Sequence, residues 1–114
     1  MPIDRDGLHL ALIAETIADI ERRIALTDLE TFLGDRDEQA LTAFRLSIIG
    51  ENANKLSSDL RARHPYLPWQ DMIGFRNIVS HEYHRVTADR VWDAATALYE
   101  IENMVAAEQA RGTK

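Results

Sequence analysis

Leu10, Ile13, Ile17, Ile20 and Ile24 step by three or four residues, a spacing that makes one apolar stripe on a helix. It predicts a first helix over about residues 7–26, and the same period recurs along most of the chain. Thr27-Asp28 is placed to cap a short following turn through Leu33, and Gly34 to end it. Asp35 then opens a long helix whose apolar positions include Leu41, Phe44, Ile48, Ile49, Ala53, Leu56 and Leu60. The run His64-Pro65-Tyr66-Leu67-Pro68 is a break, because two prolines this close cannot sit inside one helix. Pro68 suits the first turn of a new helix, with Trp69, Met72, Ile73 and Phe75 as buried anchors.

Thr87 is a candidate N-cap for a last helix, with Asp89 in its first turn. Val91, Trp92, Ala95, Leu98, Ile101 and Val105 line that helix, and the polar tail from Glu108 to Lys114 is expected to fray. No strand-like alternation, internal repeat or flexible linker interrupts the pattern. Long helices joined by short connections predict an all-α, up-and-down bundle of four to five helices, a single domain over residues 1–114.

Hydrophobic residues make up 46% of the chain, enough for one core. A lone domain this small buries only about two-thirds of its unfolded surface, so a dimer would cover useful apolar area. The absence of cysteine excludes disulfide scaffolds, thiolate metal sites and cysteine nucleophiles. The first residues, Met-Pro-Ile-Asp-Arg-Asp-Gly, carry acid where a secretion signal carries base. No stretch approaches the ~20 apolar residues that span a bilayer. A cytoplasmic protein without membrane contact is expected.

The net charge of −6 argues against a protein that coats nucleic acid generally. Its distribution is uneven. Between Lys55 and Arg90 six basic residues face four acidic ones, with His64, His81 and His84 in addition. An anionic ligand is therefore expected to meet this segment.

Among the four histidines only His81 has an arginine five residues upstream, in Arg76-Asn77-Ile78-Val79-Ser80-His81-Glu82-Tyr83. As a bare pattern Arg-x4-His is weak. On an ideal helix five residues advance by ~500°, so Arg76 and His81 point about 140° apart. They can grip one phosphate only if the helix ends or bends near Ser80-His81, or if two protomers contribute. On a continuous helix Arg76 shares a face with Tyr83, and Asn77 with His81 and His84.

The chemistry suits RNA cleavage. A neutral histidine can take the proton of a ribose 2′-hydroxyl, and a second, protonated histidine can protonate the leaving 5′-oxygen. An arginine fork stabilises charge gathering on the phosphate oxygens. One histidine per chain is one too few, and a twofold dimer solves both the count and the angle. The plainer reading of the same residues is a solvated helix surface.

Other candidates carry less. His81-Glu82-Tyr83-His84 has its histidines at i, i+3 and no third ligand, so no metal is expected. His64 beside Pro65 reads as a loop residue, and His9 as surface. Gly50 inside a helix costs ~1 kcal/mol against alanine, which favours a close helix–helix approach there. Glu51 either orients the polar groups of the Arg76–His81 helix or belongs to a solvated face.

Taken together, Ile48-Ile49-Gly50-Glu51-Asn52-Ala53, Leu56-Ser57, His64-Pro65-Tyr66-Leu67-Pro68-Trp69, Ile73 through Tyr83, Val86 and Val91-Trp92 closely resemble the HepT family. These are HEPN-domain toxins encoded beside an MNT-type nucleotidyltransferase antitoxin. The resemblance implies a HEPN-type bundle, a homodimer and cofactor-free, metal-independent RNA cleavage at a composite site in the dimer cleft. Arg76 and His81 match the family's catalytic pair, with Asn77, Ser80 and His84 in support. Tyr83 matches the tyrosine that the antitoxin modifies with AMP to silence the toxin. Thr87 and Asn52 depart from the family pattern, which often has aspartate and a small residue there. A non-catalytic subunit that only binds the nucleotidyltransferase fits the same resemblance.

Overall fold

The computed structural model describes residues 5–112, and no strand occurs among them. The first helix, α1 (Arg5–Ile24), buries Leu10, Ile13, Ile17 and Ile20 of the predicted stripe and leaves Ile24 half-buried. A short helix α2 (Leu29–Leu33) follows, capped by the Asp28 carboxylate, which accepts from the Thr31 amide at 2.8 Å; Gly34 closes it. Its buried residue, Phe32, lies against Trp92 with ring centroids 5.2 Å apart.

The central helix, α3 (Arg36–Asn54), starts where the sequence placed it, with Asp35 accepting from the Glu38 amide at 3.1 Å. It does not run on to Leu60. The chain breaks at Lys55–Ser57 and restarts as α4 (Ser58–Arg63), because Ser57 is a better cap than a helix residue. Its hydroxyl accepts from the Leu60 amide at 3.2 Å. Asp6 at the start of α1 accepts from the Ser57 amide at 2.8 Å and from its hydroxyl at 2.7 Å. Leu56 and Leu60 stay buried, so the break redirects the chain without sacrificing its apolar contacts. Phe44, expected in the core, is 59% exposed instead.

After the proline loop, α5 (Trp69–His81) begins just past Pro68, whose carbonyl accepts from the Met72 amide at 3.0 Å. The Trp69 indole donates to the His64 carbonyl at 2.9 Å and fixes the entry angle. The expected anchors Trp69, Met72, Ile73 and Phe75 are only half-buried, and no residue of α5 is fully buried. The reason is that α5 lies on the surface, packed chiefly against α3.

A 3-10 turn (Tyr83–Arg85) leads to α6 (Ala88–Thr96) and α7 (Tyr99–Gly112). Thr87 stands at the N-cap position of α6 but makes no capping bond through its hydroxyl. The single last helix of the sequence reading is thus two. The Thr96 hydroxyl donates to the Trp92 carbonyl at 2.8 Å, a back-bond that competes with the helical ladder and favours the break at Ala97. Leu98, Ile101, Met104 and Val105 then turn into the core.

The tail through Gly112 is helical rather than frayed. Its anchor is Glu108, 8% exposed, which accepts from Arg63 Nη2 at 2.7 Å and meets His64 Nε2 at 2.6 Å. The result is the predicted all-α bundle, with α1 packed on α3 and α7, α6 on α3, and α5 laid along the outside.

Candidate active site on helix α5

The position of α5 is set by Gly50 in α3. A β-carbon built at Gly50 would lie 2.3 Å from the Met72 carbonyl oxygen and 3.0 Å from Arg76 Cβ. Only a residue without a side chain permits this approach, so the glycine is a packing residue, as its cost to the helix suggested.

That contact brings Glu51, one residue on, beside Arg76. The Arg76 Nε donates to Glu51 Oε2 at 2.6 Å, and its Nη1 donates to Asn77 Oδ1 at 3.0 Å. Lys55 Nζ lies 3.4 Å from the other Glu51 oxygen. The hydrogen bond from Arg76, followed by that from Lys55, holds the Glu51 carboxyl below the usual carboxylate range, so it is charged at neutral pH. Of the two roles the sequence left open for Glu51, the geometry supports contact with the α5 polar groups.

His81 is the last residue of α5. At Glu82 the backbone leaves the helix (φ −143°, ψ 46°), its amide still donating to the Ile78 carbonyl at 2.7 Å. Arg85 Nη1 donates to Glu82 Oε2 at 2.6 Å across the turn. Tyr83 and His84 therefore sit on the 3-10 turn, and the faces expected from a continuous helix do not exist beyond His81. Asn77, Ser80, His81, Tyr83 and His84 are all exposed, and Arg76 is half-buried. These residues cluster at one end of α5.

Within one chain the cluster is open and divided. Residues 69–81 are regular helix, so Arg76 and His81 leave it in directions about 140° apart. Arg76 turns toward α3. His81 is exposed at the helix end. Elsewhere on α5, Gly74, Phe75 and Ile78 border a mainly apolar groove of about 420 Å³, walled also by Ile49 of α3 and closed by Leu98 and Ile101. Arg90 stands at its rim.

The other histidines have structural partners. His64 bridges Tyr66 Oη, 3.1 Å from Nδ1, and Glu108. His9 is half-buried rather than plain surface, its Nδ1 2.8 Å from Asn52 Oδ1. Among the described residues no group of three or more histidine or acidic side chains is arranged to hold a metal ion. No described helix is long and apolar enough to cross a membrane.

Comparison with known proteins agrees with this architecture. The profile of a family described as "Ribonuclease HepT-like" matches residues 13–107. A protein of Thermococcus cleftensis named "Probable ribonuclease HepT" is 33% identical over 74% of this chain and 76% of its own length. A Caldanaerobacter subterraneus subsp. tengcongensis protein named as an RNase is 36% identical over 82% of this chain and 81% of its own. One from Methanocaldococcus jannaschii, also named as an RNase, is 30% identical over 78% and 72%. No solved structure matches the chain significantly. With its profile covering most of the sequence and these relatives spanning most of their own lengths, the chain belongs to the HepT-like ribonuclease family.

Proposed function

We propose that the protein is a metal-independent endoribonuclease toxin whose site forms where two copies of α5 meet, with Arg76 and His81 of each copy around one scissile phosphate. The observation that carries this reading is the exposed end of α5, with Arg76 and His81 turned apart on a helix that also borders an apolar groove through Gly74, Phe75 and Ile78. A second copy seated on that groove would cover half-exposed Met72, Phe75 and Ile78 and supply the second histidine.

In the proposed reaction a neutral His81 accepts the proton of the ribose 2′-hydroxyl as the 2′-oxygen attacks phosphorus. The bond from phosphorus to the 5′-oxygen breaks, and the protonated His81 of the second copy delivers a proton to that oxygen. The products are a 2′,3′-cyclic phosphate and a 5′-hydroxyl. Arg76 stabilises the charge that builds on the non-bridging oxygens. RNA brings its own nucleophile, so neither a metal nor a protein nucleophile is required. Asn77, Ser80 and His84 border the same phosphate path.

Silencing follows from charge. Tyr83 is 44% exposed and two residues from His81. A nucleotidyltransferase antitoxin that adds AMP to its hydroxyl would place a bulky anion beside the site and repel RNA. A cytoplasmic toxin-antitoxin pair is the setting this implies. The test is cleavage of RNA in EDTA by the purified parent, Arg76→Ala and His81→Ala. Loss in both variants with an unchanged circular dichroism spectrum supports the reading, and parent-like cleavage by either overturns the site.

A further inference from the structure

We infer that Glu51 is a positioning residue for Arg76: it holds the Nε edge of the guanidinium and so aims the remaining donors away from α3. This inference rests on the proposed ribonuclease site and adds a residue to it.

Arginine carries five N–H donors in a rigid planar fork. In this structure Nε is spent on Glu51 Oε2 at 2.6 Å, and one donor of Nη1 on Asn77 Oδ1 at 3.0 Å. The two N–H groups of Nη2 and the second of Nη1 remain. One N–H of Nη2 shares the Nε edge, while the Nη1–Nη2 end of the fork keeps a donor on each nitrogen with which a phosphate can be met by two parallel bonds. Without an acceptor at Nε the long side chain is free to swing among rotamers, and the edge it presents is no longer defined.

Two features fix the Glu51 side of the contact. Gly50 clamps α3 to α5 immediately beside it, so the two residues cannot drift apart along the helices. Lys55, one turn on, holds the other carboxylate oxygen at 3.4 Å. The Glu51 side chain is 38% exposed and reaches Arg76 from α3, an element that otherwise contributes nothing to the cluster. A surface carboxylate placed in a phosphate site lowers affinity for an anion. Its benefit must therefore lie in orientation, which is a gain in turnover rather than in binding.

The test is steady-state kinetics on one defined RNA oligonucleotide with the parent, Glu51→Ala, Glu51→Gln and Arg76→Ala. Glu51→Ala is expected to lower kcat by about ten- to a hundredfold while KM stays level or falls, because a negative charge leaves the site. Glu51→Gln keeps an acceptor oxygen and is expected to stay within a few-fold of the parent. If Glu51→Ala keeps the parent's kcat, or Glu51→Gln falls as far as Glu51→Ala, the positioning role is overturned. Arg76→Ala separates the two claims. Inactive Arg76→Ala beside fully active Glu51→Ala refutes only this inference, whereas active Arg76→Ala refutes the ribonuclease site and this inference with it.

Discussion

Gly50 and Arg76 lie so close across the α3–α5 contact that a β-carbon on residue 50 would approach Arg76 Cβ to 3.0 Å. The carbonyl oxygen of Met72 would be closer still, at 2.3 Å, and backbone cannot yield as a flexible side chain can. The polar cluster on α5 thus depends on an absent methyl group in another helix.

Gly50→Ala is expected to destabilise the protein by about 1–3 kcal/mol, the usual cost of an overpacked contact. Alanine's helical preference, ~1 kcal/mol, offsets only part of the strain it introduces. Urea unfolding of the two proteins measures the difference. A more stable Gly50→Ala protein would show that α5 can shift outward freely.

Glu108 predicts an acid-sensitive step. The hydrogen bond from Arg63, with His64 contributing, holds its carboxyl from the ordinary 4.5 down to about 2. A carboxyl whose folded value is depressed stabilises the fold above its unfolded value, and that contribution drains away as pH falls from 4.5 toward 2. Glu108→Gln is expected to cost about 1.5–3 kcal/mol at pH 7, the worth of hydrogen bonds to a charged partner. The gap between parent and variant should shrink on acidification below the ordinary carboxyl value. Thermal melts at several pH values check both statements.

If two copies meet on the groove beside α5 as proposed, a charge placed there should separate them. Ile78→Asp places a charge among Phe75, Leu98 and Ile101, where a second copy would have to bury it. The variant should fold, since Ile78 is only half-buried in the single chain. Its dimer dissociation constant is expected to rise at least about tenfold, with cleavage lost in parallel. Sedimentation velocity over a concentration series reads the first effect, and an RNA assay the second.

Tyr83→Phe separates regulation from catalysis. The phenol takes no part in the proposed proton transfers, so cleavage is expected to stay within about threefold of the parent. Under the proposed silencing, growth arrest by the variant should be insensitive to a co-expressed nucleotidyltransferase antitoxin, and intact mass should show no AMP increment. An increment on Tyr83→Phe would place the acceptor elsewhere.

Much of this arrangement was legible in the residues. The α1 stripe, the Asp28 and Asp35 caps and the proline break are local signals; the two caps start α2 and α3 as expected, whereas α1 is helical two residues before the expected residue 7 and Pro68 stands at the N-cap of α5 rather than in its first turn. What escaped was decided by contacts distant in sequence. Ser57 reads as one more residue of a long helix until Asp6, from the other end of the chain, satisfies its amide and hydroxyl. Glu108 reads as a fraying tail until Arg63 and His64 are seen against it. Phe44 has the right period for the core but projects outward, because helical spacing gives a face without saying which neighbour covers it.

The polar cluster was legible in the same partial way. Arg76, Asn77, Ser80 and His81 could be assigned to one helix, and the angle between Arg76 and His81 follows from helix geometry. The turn at Glu82, which removes Tyr83 and His84 from that helix, carries no proline or glycine to announce it. The Glu51–Arg76 pair was foreshadowed as one of two open readings of Glu51, and the glycine beside it adds a hint, since a glycine retained within a helix points to whatever packs there.

A site built from two His81 imidazoles and no metal is tested by the chemistry of the RNA ends that the purified protein leaves in EDTA. The parent should leave 2′,3′-cyclic phosphate and 5′-hydroxyl ends, and His81→Ala neither, at matched folded concentration. Ends bearing 3′-hydroxyl and 5′-phosphate, or undiminished cleavage by His81→Ala, would contradict such a site.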